Sequence, residues 1–366
     1  MEHHNKHSSS ILMLWLMLLI TFYGMAGYLA SSDLYEDKIA SETRHMERID
    51  PDKTEQGKTA PDYQHLNGEQ DNSQKVIVGM YVDRIETIST KETLWTVDFY
   101  LWFKWSGNEI QPGESFHVVD GEVLSKELVR SSSDGDNNYE LYRVAARITK
   151  AFNITRYPLD NHQLTIRVEE SDHQWKTLQY VPDFKETAYS SRVKVPGYTV
   201  HSSDLVNKPH AYKSSRGDPL APEAEKAVYT QLTYALGIER PDWGLYFKMF
   251  QGLFASVGIA FLAFLLAPAA DDRVGLGVGA FFAAMANTYI NLAELPGVGR
   301  VTLTDMVNGI GMVTILLTIF ATIISTHIAE TKGDVKRARA FDRLSLLLFI
   351  IGFVGVNVTI VLSAAV

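Results

Sequence analysis

The sequence contains no cysteine among its 366 residues. This absence excludes disulfide bonds, catalysis by a thiol and zinc sites built from cysteine. The 11 histidines are scattered, and the densest group, His3, His4 and His7, lies near the N-terminus without an H-E-x-x-H pattern. We therefore expect no metal site and no cofactor.

The chain also has fewer basic than acidic residues. Its 34 lysines and arginines are outnumbered by 43 aspartates and glutamates, which gives a net charge of −9 at pH 7. Proteins that bind nucleic acids need a basic surface to neutralise phosphates. We therefore expect no nucleic-acid partner.

The N-terminal region begins with an apolar run at residues 11–30, preceded by Lys6. This layout is typical of an export signal, and the run is long enough to span a membrane if it is not removed. Residues 1–30 are thus either a signal peptide or an N-terminal membrane anchor, and the sequence leaves both open. Residues 31–74 have few apolar side chains, so we expect a flexible polar tether there.

From residue 75 the pattern becomes strand-like. Apolar side chains alternate at Val76, Val78, Met80 and Val82. Further strand-like segments follow at residues 94–105, 140–150, 163–169, 192–200 and 228–239, separated by turn clusters such as residues 131–136. No helical period intervenes. The sequence therefore predicts an immunoglobulin-like antiparallel β-sandwich over residues 75–243.

Residues 244–366 are predicted to form a four-helix transmembrane bundle. Its apolar segments span about 245–266, 272–295, 303–326 and 342–365, and each approaches the length that crosses a bilayer. The connector at 327–343 carries five basic and three acidic residues, which favours the cytoplasmic side. Counting crossings back from it puts the sandwich on the outer side. We expect a multi-pass protein of the cell membrane, most simply a bacterial inner membrane with the sandwich in the periplasm.

The second of these segments is the least apolar and begins with acidic residues. At about 100° per residue, one face of the predicted helix carries Asp272, Gly275, Gly279, Phe282, Ala286, Tyr289 and Ala293. One interpretation is a seam of small residues that packs against other helices. The other is a pore lining, in which copies of Asp272 form a ring that attracts cations and copies of Phe282 form a constriction.

A loop and several flanking residues resemble the bacterial branch of the pentameric ligand-gated ion channels, also called Cys-loop receptors. Residues 152–164 (FNITRYPLDNHQL) are similar to that family's hallmark aromatic-Pro-aromatic-Asp loop, with Leu159 in place of the usual Phe. Trp105, Arg240, the Asp272-Arg273 pair and Leu295-Pro296 are similar to further family positions, in the family's order. The resemblance extends from about residue 76 to the end of the chain.

The resemblance implies a homopentamer that conducts monovalent cations across the lipid bilayer when a small molecule or an ion binds the sandwich. It implies gating or coupling roles for Tyr157, Pro158, Leu159, Asp160, Arg240, Lys91, Glu92 and Pro296. It also implies an agonist site between neighbouring sandwiches that includes Tyr100, Asp172, Trp175, Tyr212 and Tyr229. Taken without the resemblance, residues 157–160 read equally well as a structural turn, and the strand aromatics as core filling.

Two other classes of function stay open at this point. A non-conducting membrane receptor would use the same sandwich as a sensor and its helices only as an anchor. A membrane enzyme would need catalytic groups in or near the helices. Only isolated polar residues such as Asn287, Asn291, Glu294, Asp305 and Asn308 are available, without a Ser/His or paired-Asp motif. We therefore do not expect an enzyme.

Overall fold

A computed structural model of the chain describes residues 2–62, 72–217, 226–241, 243–293, 299–331 and 333–365. The chain divides into two compact units. A helical unit comprises Met1–Ile39, Asn153–Asp160 and Asp242–Val366, and a β unit comprises Ala40–Phe152 and Asn161–Pro241.

In its described residues the β unit contains ten strands and one short helix, besides the end of the first long helix. In chain order they are β1 (Gln74–Ser89), β2 (Leu94–Ser106), helix α2 (Pro112–Ser115), β3 (Phe116–Val119), β4 (Gly121–Asp134), β5 (Asn137–Thr149), β6 (Asn161–Gln174), β7 (Leu178–Pro182), β8 (Ala188–Tyr189), β9 (Thr199–Ala211) and β10 (Val228–Glu239). One sheet has the order β4-β5-β2-β1-β7 with β8 beside β1, and the other has the order β3-β6-β10-β9. All pairs are antiparallel except those of β7 and β8 with β1.

Aromatic side chains of β2 form the centre of the β unit. Trp95, Phe99 and Phe103 have no exposed surface. The ring of Phe103 lies 5.5 Å from that of Phe116 in the other sheet, and the N–H of Tyr180 on β7 donates to the Thr230 hydroxyl on β10 at 2.9 Å. Aromatic residues bury large areas and fit pleated surfaces, which explains the long uninterrupted β2. The prediction of a β-rich domain is confirmed as two sheets.

Two strand predictions need correction. The region 192–200 is largely irregular, and the strand in this part of the chain is β9 at Thr199–Ala211. The polar residues 131–134, predicted as part of a turn, instead complete β4. Every residue of β4 is exposed and the strand lies at the edge of its sheet, so it lacks the apolar alternation by which strands are recognised.

The helical unit is built from five long helices: α1 (Glu2–Ile49, whose last residues belong to the β unit), α3 (Gly244–Leu262), α4 (Asp272–Ala293), α5 (Leu303–Thr331) and α6 (Val335–Ala365). Among the described residues, four helices are long and apolar enough to cross a membrane: α1, from Met13 onward, with α3, α5 and α6. The chain is thus a multi-pass membrane protein by the character of its helices.

The predicted bundle differs from the structure in two respects. Helix α4 forms close to the predicted position, but it is not one of the four apolar helices, because glycine, alanine and polar residues dilute its hydrophobicity. The fourth apolar helix is α1, which the sequence places outside the bundle. Helix α6 also begins at Val335, before the predicted start.

The segment predicted as a tether is partly helical. Residues 31–49 continue α1, and Leu34 and Ser41 on this stretch are buried. Buried positions spaced seven residues apart lie on one helix face, so a narrow stripe suffices to hold an otherwise polar helix. Residues 50–62 follow as turns and irregular structure, and β1 begins at Gln74. Residues 63–71 of the predicted tether lie outside the described residues.

Helix α1 packs closely against α6. Gly352 lies directly against the ring of Tyr23, and the Tyr23 hydroxyl hydrogen-bonds with the Thr314 hydroxyl on α5 at 3.0 Å. The Trp15 indole donates to the Ser345 hydroxyl at 3.1 Å. These contacts make α1 part of the hydrophobic core of the helical unit rather than an appendage.

We predict that Gly352→Ala lowers the thermal unfolding midpoint of the detergent-purified protein, because the added methyl group overlaps the Tyr23 ring. Overpacking of this kind costs about 1–3 kcal/mol. Gly355→Ala is the matched control, since no other atom lies within 4 Å of a Cβ at that position. Equal midpoints for the two variants in differential scanning fluorimetry would contradict the close packing of α1 on α6.

Candidate functional site

The face of α4 predicted to line a pore is exposed in the single chain. Asp272, Gly275, Gly279, Phe282, Ala286 and Tyr289 are all exposed. The largest of them, Phe282 and Tyr289, have 63% and 75% of their surface exposed. No atom from another part of the chain lies within 4 Å of a Cβ at Gly275 or Gly279. The side chain of Ala293 lies outside the described residues.

The opposite face of α4 is packed within the chain. Gly277 lies against Ile319 of α5, and Ala280 and Ala284 are buried. The small residues that form an internal packing seam are therefore these three and not Gly275 and Gly279. This arrangement gives α4 one face packed against α5 and other parts of its own chain and one face without a partner among the described residues.

Arg273 fixes the orientation of α4. Its side chain is 1% exposed and donates to four acceptors: the Ala263 carbonyl at 2.9 Å, the Pro268 carbonyl at 3.0 Å, the Ser325 hydroxyl at 3.3 Å and Asp342 Oδ1 at 2.8 Å. These groups belong to the α3–α4 connection, α5 and α6. Because Arg273 points inward, the preceding residue, Asp272, is left exposed at the first turn.

Asn287 is a polar residue of α4 whose environment the sequence does not predict. Its amide donates to the Met249 carbonyl on α3 at 3.2 Å, and Gly252 lies against its side chain. A polar group within a membrane domain is tolerated when it faces protein. Asn287 is therefore an interhelical contact and not part of the exposed face. The side chain of Asn291, and Glu294 as a whole, lie outside the described residues.

The loop Asn153–Asp160 belongs to the helical unit and binds the start of α5. The Thr155 carbonyl accepts from the Leu303 N–H at 2.7 Å, and the Tyr157 carbonyl accepts from the Thr304 hydroxyl at 3.0 Å. Tyr157 and Leu159 pack against the apolar core of the helices, while Pro158 and Asp160 are buried. The loop thus contacts the end of the segment that joins α4 to α5.

The same loop reaches two further helices. Arg156 donates to the Ala364 carbonyl at 3.2 Å near the end of α6, and its Nε lies 3.6 Å from Asp37 Oδ2 on α1. Asn153 also donates to both carboxylate oxygens of Asp37, at 3.0 Å each. Sequence reasoning missed this three-residue cluster, because Asp37 lies in the segment read as a tether.

The remaining predicted coupling residues lie elsewhere or outside the described residues. Arg240, in the β unit, stacks over the Tyr198 ring at 4.0 Å and donates to the Tyr198 hydroxyl at 2.8 Å. Lys91 and Glu92 are exposed in the β1–β2 turn. Pro296 is among the residues that the structure does not describe.

Two of the five predicted agonist-site residues come together. The rings of Tyr212 and Tyr229 lie 5.9 Å apart, and the guanidinium of Arg216 lies over both, at 4.8 and 5.6 Å. Trp175 follows β6 directly, and its backbone N–H donates to the carbonyl of Val228, the first residue of β10, at 2.8 Å. Asp172 is exposed. Tyr100 lies in the other sheet, on β2, with Arg143 at 5.9 Å from its ring.

Glu169 is the buried centre of this region. Its carboxylate accepts from the Tyr212 hydroxyl at 2.6 Å and the Gln231 amide at 2.8 Å, and it pairs with His210. Burial opposes ionisation, but the hydrogen bonds from His210, Tyr212 and Gln231 outweigh it and hold the pKa of Glu169 below its usual value. The ionised carboxylate therefore positions Tyr212 beside Tyr229.

Comparison with known proteins adds no relative. No family model matches the chain, and no curated protein matches its sequence. Conclusions about function therefore depend on the residues and their geometry. No cluster of three or more His, Asp or Glu side chains suited to a metal ion occurs in the part of the chain that the structure describes.

We predict that Arg273→Gln strongly destabilises the protein, because it leaves Asp342 as an uncompensated buried charge. Breaking a buried pair by removing one partner costs about 3–5 kcal/mol. The double variant Arg273→Met with Asp342→Leu should recover much of that loss, since neither charge is then buried alone. Thermal midpoints of the single and double variants measure the effect. The exposed pair of Arg147 and Glu122, 3.4 Å apart, gives a control in which Arg147→Gln has little effect.

Proposed function

We propose that the chain is a subunit of a pentameric ligand-gated ion channel that conducts cations. In this proposal the β unit is an immunoglobulin-like sandwich that senses a ligand, and α4 lines the pore. The observation that carries the proposal is the face of α4 that begins with Asp272 and continues through Phe282 to Tyr289 without a partner among the residues that the structure describes. The pentamer and the gating by a ligand rest on the motif resemblance.

The chemistry of that face favours water over lipid as its environment. Lipid would suit the apolar helices α3, α5 and α6, whereas a carboxylate and a glycine-rich surface gain nothing from hydrocarbon. If copies of α4 surround an axis, the Asp272 carboxylates form a ring that concentrates cations at one mouth. Gly275 and Gly279 then leave that half wide, and Phe282 narrows the middle of the pore.

The loop Asn153–Asp160 supplies a route by which a ligand signal reaches the pore. It follows β5 directly and precedes β6, and its carbonyls bind the first residues of α5, which is joined to α4. A ligand shifts the closed–open equilibrium if it binds one conformation more tightly than the other. We infer that movement of this loop alters the start of α5 and thereby the end of α4.

The ligand would bind between neighbouring β units, beside Tyr212 and Tyr229. The two aromatic rings next to the ionised Glu169 suit a cation, and Arg216 occupies that position in this structure, so an organic amine would bind by displacing the Arg216 guanidinium. The proposal places the protein in a bacterial inner membrane with the β unit outside. A non-conducting receptor with the same sensor is the competing function, and ion flux separates the two.

We predict that purified protein in planar bilayers conducts cations and that Asp272→Lys shifts the reversal potential in asymmetric salt toward that of an anion channel. The reason is that the substituted ring would repel cations at the pore mouth. Asp271→Lys is the matched control, because Asp271 is also exposed but lies in the turn before α4. Conductance with the same selectivity in both variants would remove Asp272 from the pore, and absence of flux in all of them would favour the receptor.

We predict that Thr304→Val changes the open probability, because it removes the hydroxyl that binds the Tyr157 carbonyl while keeping the side chain's shape. Losing one such hydrogen bond changes a state's free energy by about 0.5–1.5 kcal/mol, enough for a several-fold change in the closed–open ratio. Thr318→Val is the control, since its hydroxyl bonds only within α5, to the Thr314 carbonyl. Single-channel recording gives the ratio, and the same shift in both variants would argue against coupling through the loop.

A further inference from the structure

A second charged site lies in the β unit beside Glu169, since His210 and Gln231, which bind Glu169, also line its cavity. Five cationic side chains surround the Glu55 carboxylate; we call Arg48, Lys58, Lys150, Arg167 and Lys208 the cationic cluster. Arg48 donates to Glu55 Oε1, and Glu55 Oε2 lies 3.5 Å from Lys58 Nζ and 3.7 Å from Arg167 Nη2. The side chains of Arg48 and Glu55 are 13% exposed and that of Arg167 is 11% exposed, so the charges are largely removed from water.

Positive charge exceeds negative charge within this cluster. Besides Glu55, the carboxylate of Asp120 forms an ion pair with the cluster, and its Oδ2 lies 2.7 Å from Arg167 Nη1. The other hydrogen-bond partners are neutral: Arg48 donates to the Gln163 side chain at 2.9 Å, and Lys208 donates to the Glu47 carbonyl at 2.8 Å. Asp50 and Glu47 also attract Lys208, so four carboxylates face the five cations of the cluster and leave it with a net positive charge.

The groups of the cationic cluster and Glu55 have pKa values that differ from their usual values. Burial and the charge of Arg167 lower the pKa of Lys58, and burial and the charge of Arg48 lower that of Arg167. Burial together with Arg48 and Arg167 lowers the pKa of Lys150 to about 7. For Glu55, burial opposes ionisation, but the hydrogen bond and charge of Arg48 outweigh it and bring the pKa to about 2. For Lys58, Lys150 and Arg167 burial is the largest cause of the lowered pKa, and the neighbouring guanidinium charges add to it.

The cluster also has unused binding capacity. Arg48 Nε is buried and has no hydrogen-bond partner among the described residues. A cavity of about 50 Å³ lies beside it, lined by Arg48, Glu55, Lys58, Arg167 and Lys208 together with neighbouring residues. A water molecule takes about 30 Å³ in the liquid. The cavity therefore has room for a water or, if Glu55 withdraws, for a small anion.

We propose that the cationic cluster is a binding site for a small carboxylate anion and that Glu55 is its tethered occupant in this structure. The observed occupant is itself a carboxylate, which accepts one hydrogen bond from Arg48 and forms ion pairs with Lys58 and Arg167. Glu55 sits in the irregular segment after α1 and not in a strand, so its release requires no break in a sheet. The inference does not depend on the proposed channel function.

The test is the stabilisation of purified full-length protein by sodium acetate, compared with sodium chloride at the same ionic strength. A ligand that binds the folded state raises the unfolding midpoint. We expect a small acetate-specific rise in the wild type, where Glu55 competes, and a larger rise in Glu55→Gln, which keeps the size of the side chain but removes its charge. Glu122→Gln, in an exposed ion pair outside the cluster, should behave as the wild type.

Three outcomes would overturn the proposal. The first is an acetate effect in Glu55→Gln no larger than that of chloride. The second is an acetate effect that persists when Lys58→Met is added to Glu55→Gln. The third is stabilisation by inorganic phosphate without stabilisation by acetate. If Glu55→Gln unfolds in chloride, the proposal requires acetate to restore its folding, and failure to do so counts against it.

The pH dependence of acetate affinity separates a binding site from a purely structural ion pair, because only a binding site couples acetate uptake to protonation of Lys150. Lys150 is within electrostatic reach of Arg44, Arg48, Glu55 and Arg167, and its ammonium lies 5.5 Å from the Phe152 ring. An anion bound nearby favours the charged ammonium, so binding takes up a proton. With the lysine half-protonated near neutrality and acetate ionised throughout, affinity should rise up to about tenfold from about pH 8 to about pH 6. Lys150→Met should remove that dependence, and an unchanged dependence would contradict the assignment.

Discussion

The burial of Arg273 is the constraint on which the helical unit depends. Its guanidinium binds the carbonyls that end α3, the Ser325 hydroxyl on α5 and the Asp342 carboxylate on α6. A charge in such a place is costly unless nearly all of its donors find acceptors. Since the acceptors come from the α3–α4 connection, α5 and α6, the buried guanidinium selects one rotation of α4 among those that hydrophobic packing alone would permit. The exposed face of α4 follows from that choice.

The two faces of α4 therefore have separate origins. The inward face is defined by the buried charge and by Gly277, Ala280 and Ala284, which let α4 approach its neighbours. The outward face has no packing partner in the described part of the chain, which is why the proposed function assigns it to a pore. A similar separation exists in the β unit, where Phe103 and its neighbours form the core while Glu169 orders the surface aromatics Tyr212 and Tyr229.

Sequence patterns predicted the parts of this protein in which periodicity and burial agree. The alternation of Val76, Val78, Met80 and Val82 predicts β1, and the stripe from Asp272 to Tyr289 predicts the exposed side of α4. Patterns failed where polar contacts replace apolar ones. Residues 31–49 have too few apolar side chains to be recognised as a folded segment. Their helix is held by a narrow buried stripe and by Asp37, whose partners Asn153 and Arg156 are far away in sequence. Such long-range polar pairs leave no local signature.

The candidate ligand region shows the same limit. Tyr212 and Tyr229 could be anticipated because they flank one hairpin, but Tyr100 could not be assigned to a sheet by residue type. The cationic cluster was invisible for a further reason. Its members come from α1, the irregular segment after it and strands β5, β6 and β9, or their ends, and a net charge of −9 conceals any local excess of positive charge.

Strand β4 has a consequence for how the protein behaves in solution. It lies at the edge of its sheet with all 14 residues exposed, including Val123, Leu124, Leu128 and Val129. An edge of this length is a template onto which another strand can add through backbone hydrogen bonds, the route to ordered aggregates. The charged side chains at 122, 126, 127 and 130 act as gatekeepers, because each new strand would have to bring its own charges into register with them. Strand β4 thus carries both the exposed backbone edge and the charged side chains that oppose the addition of another strand to it.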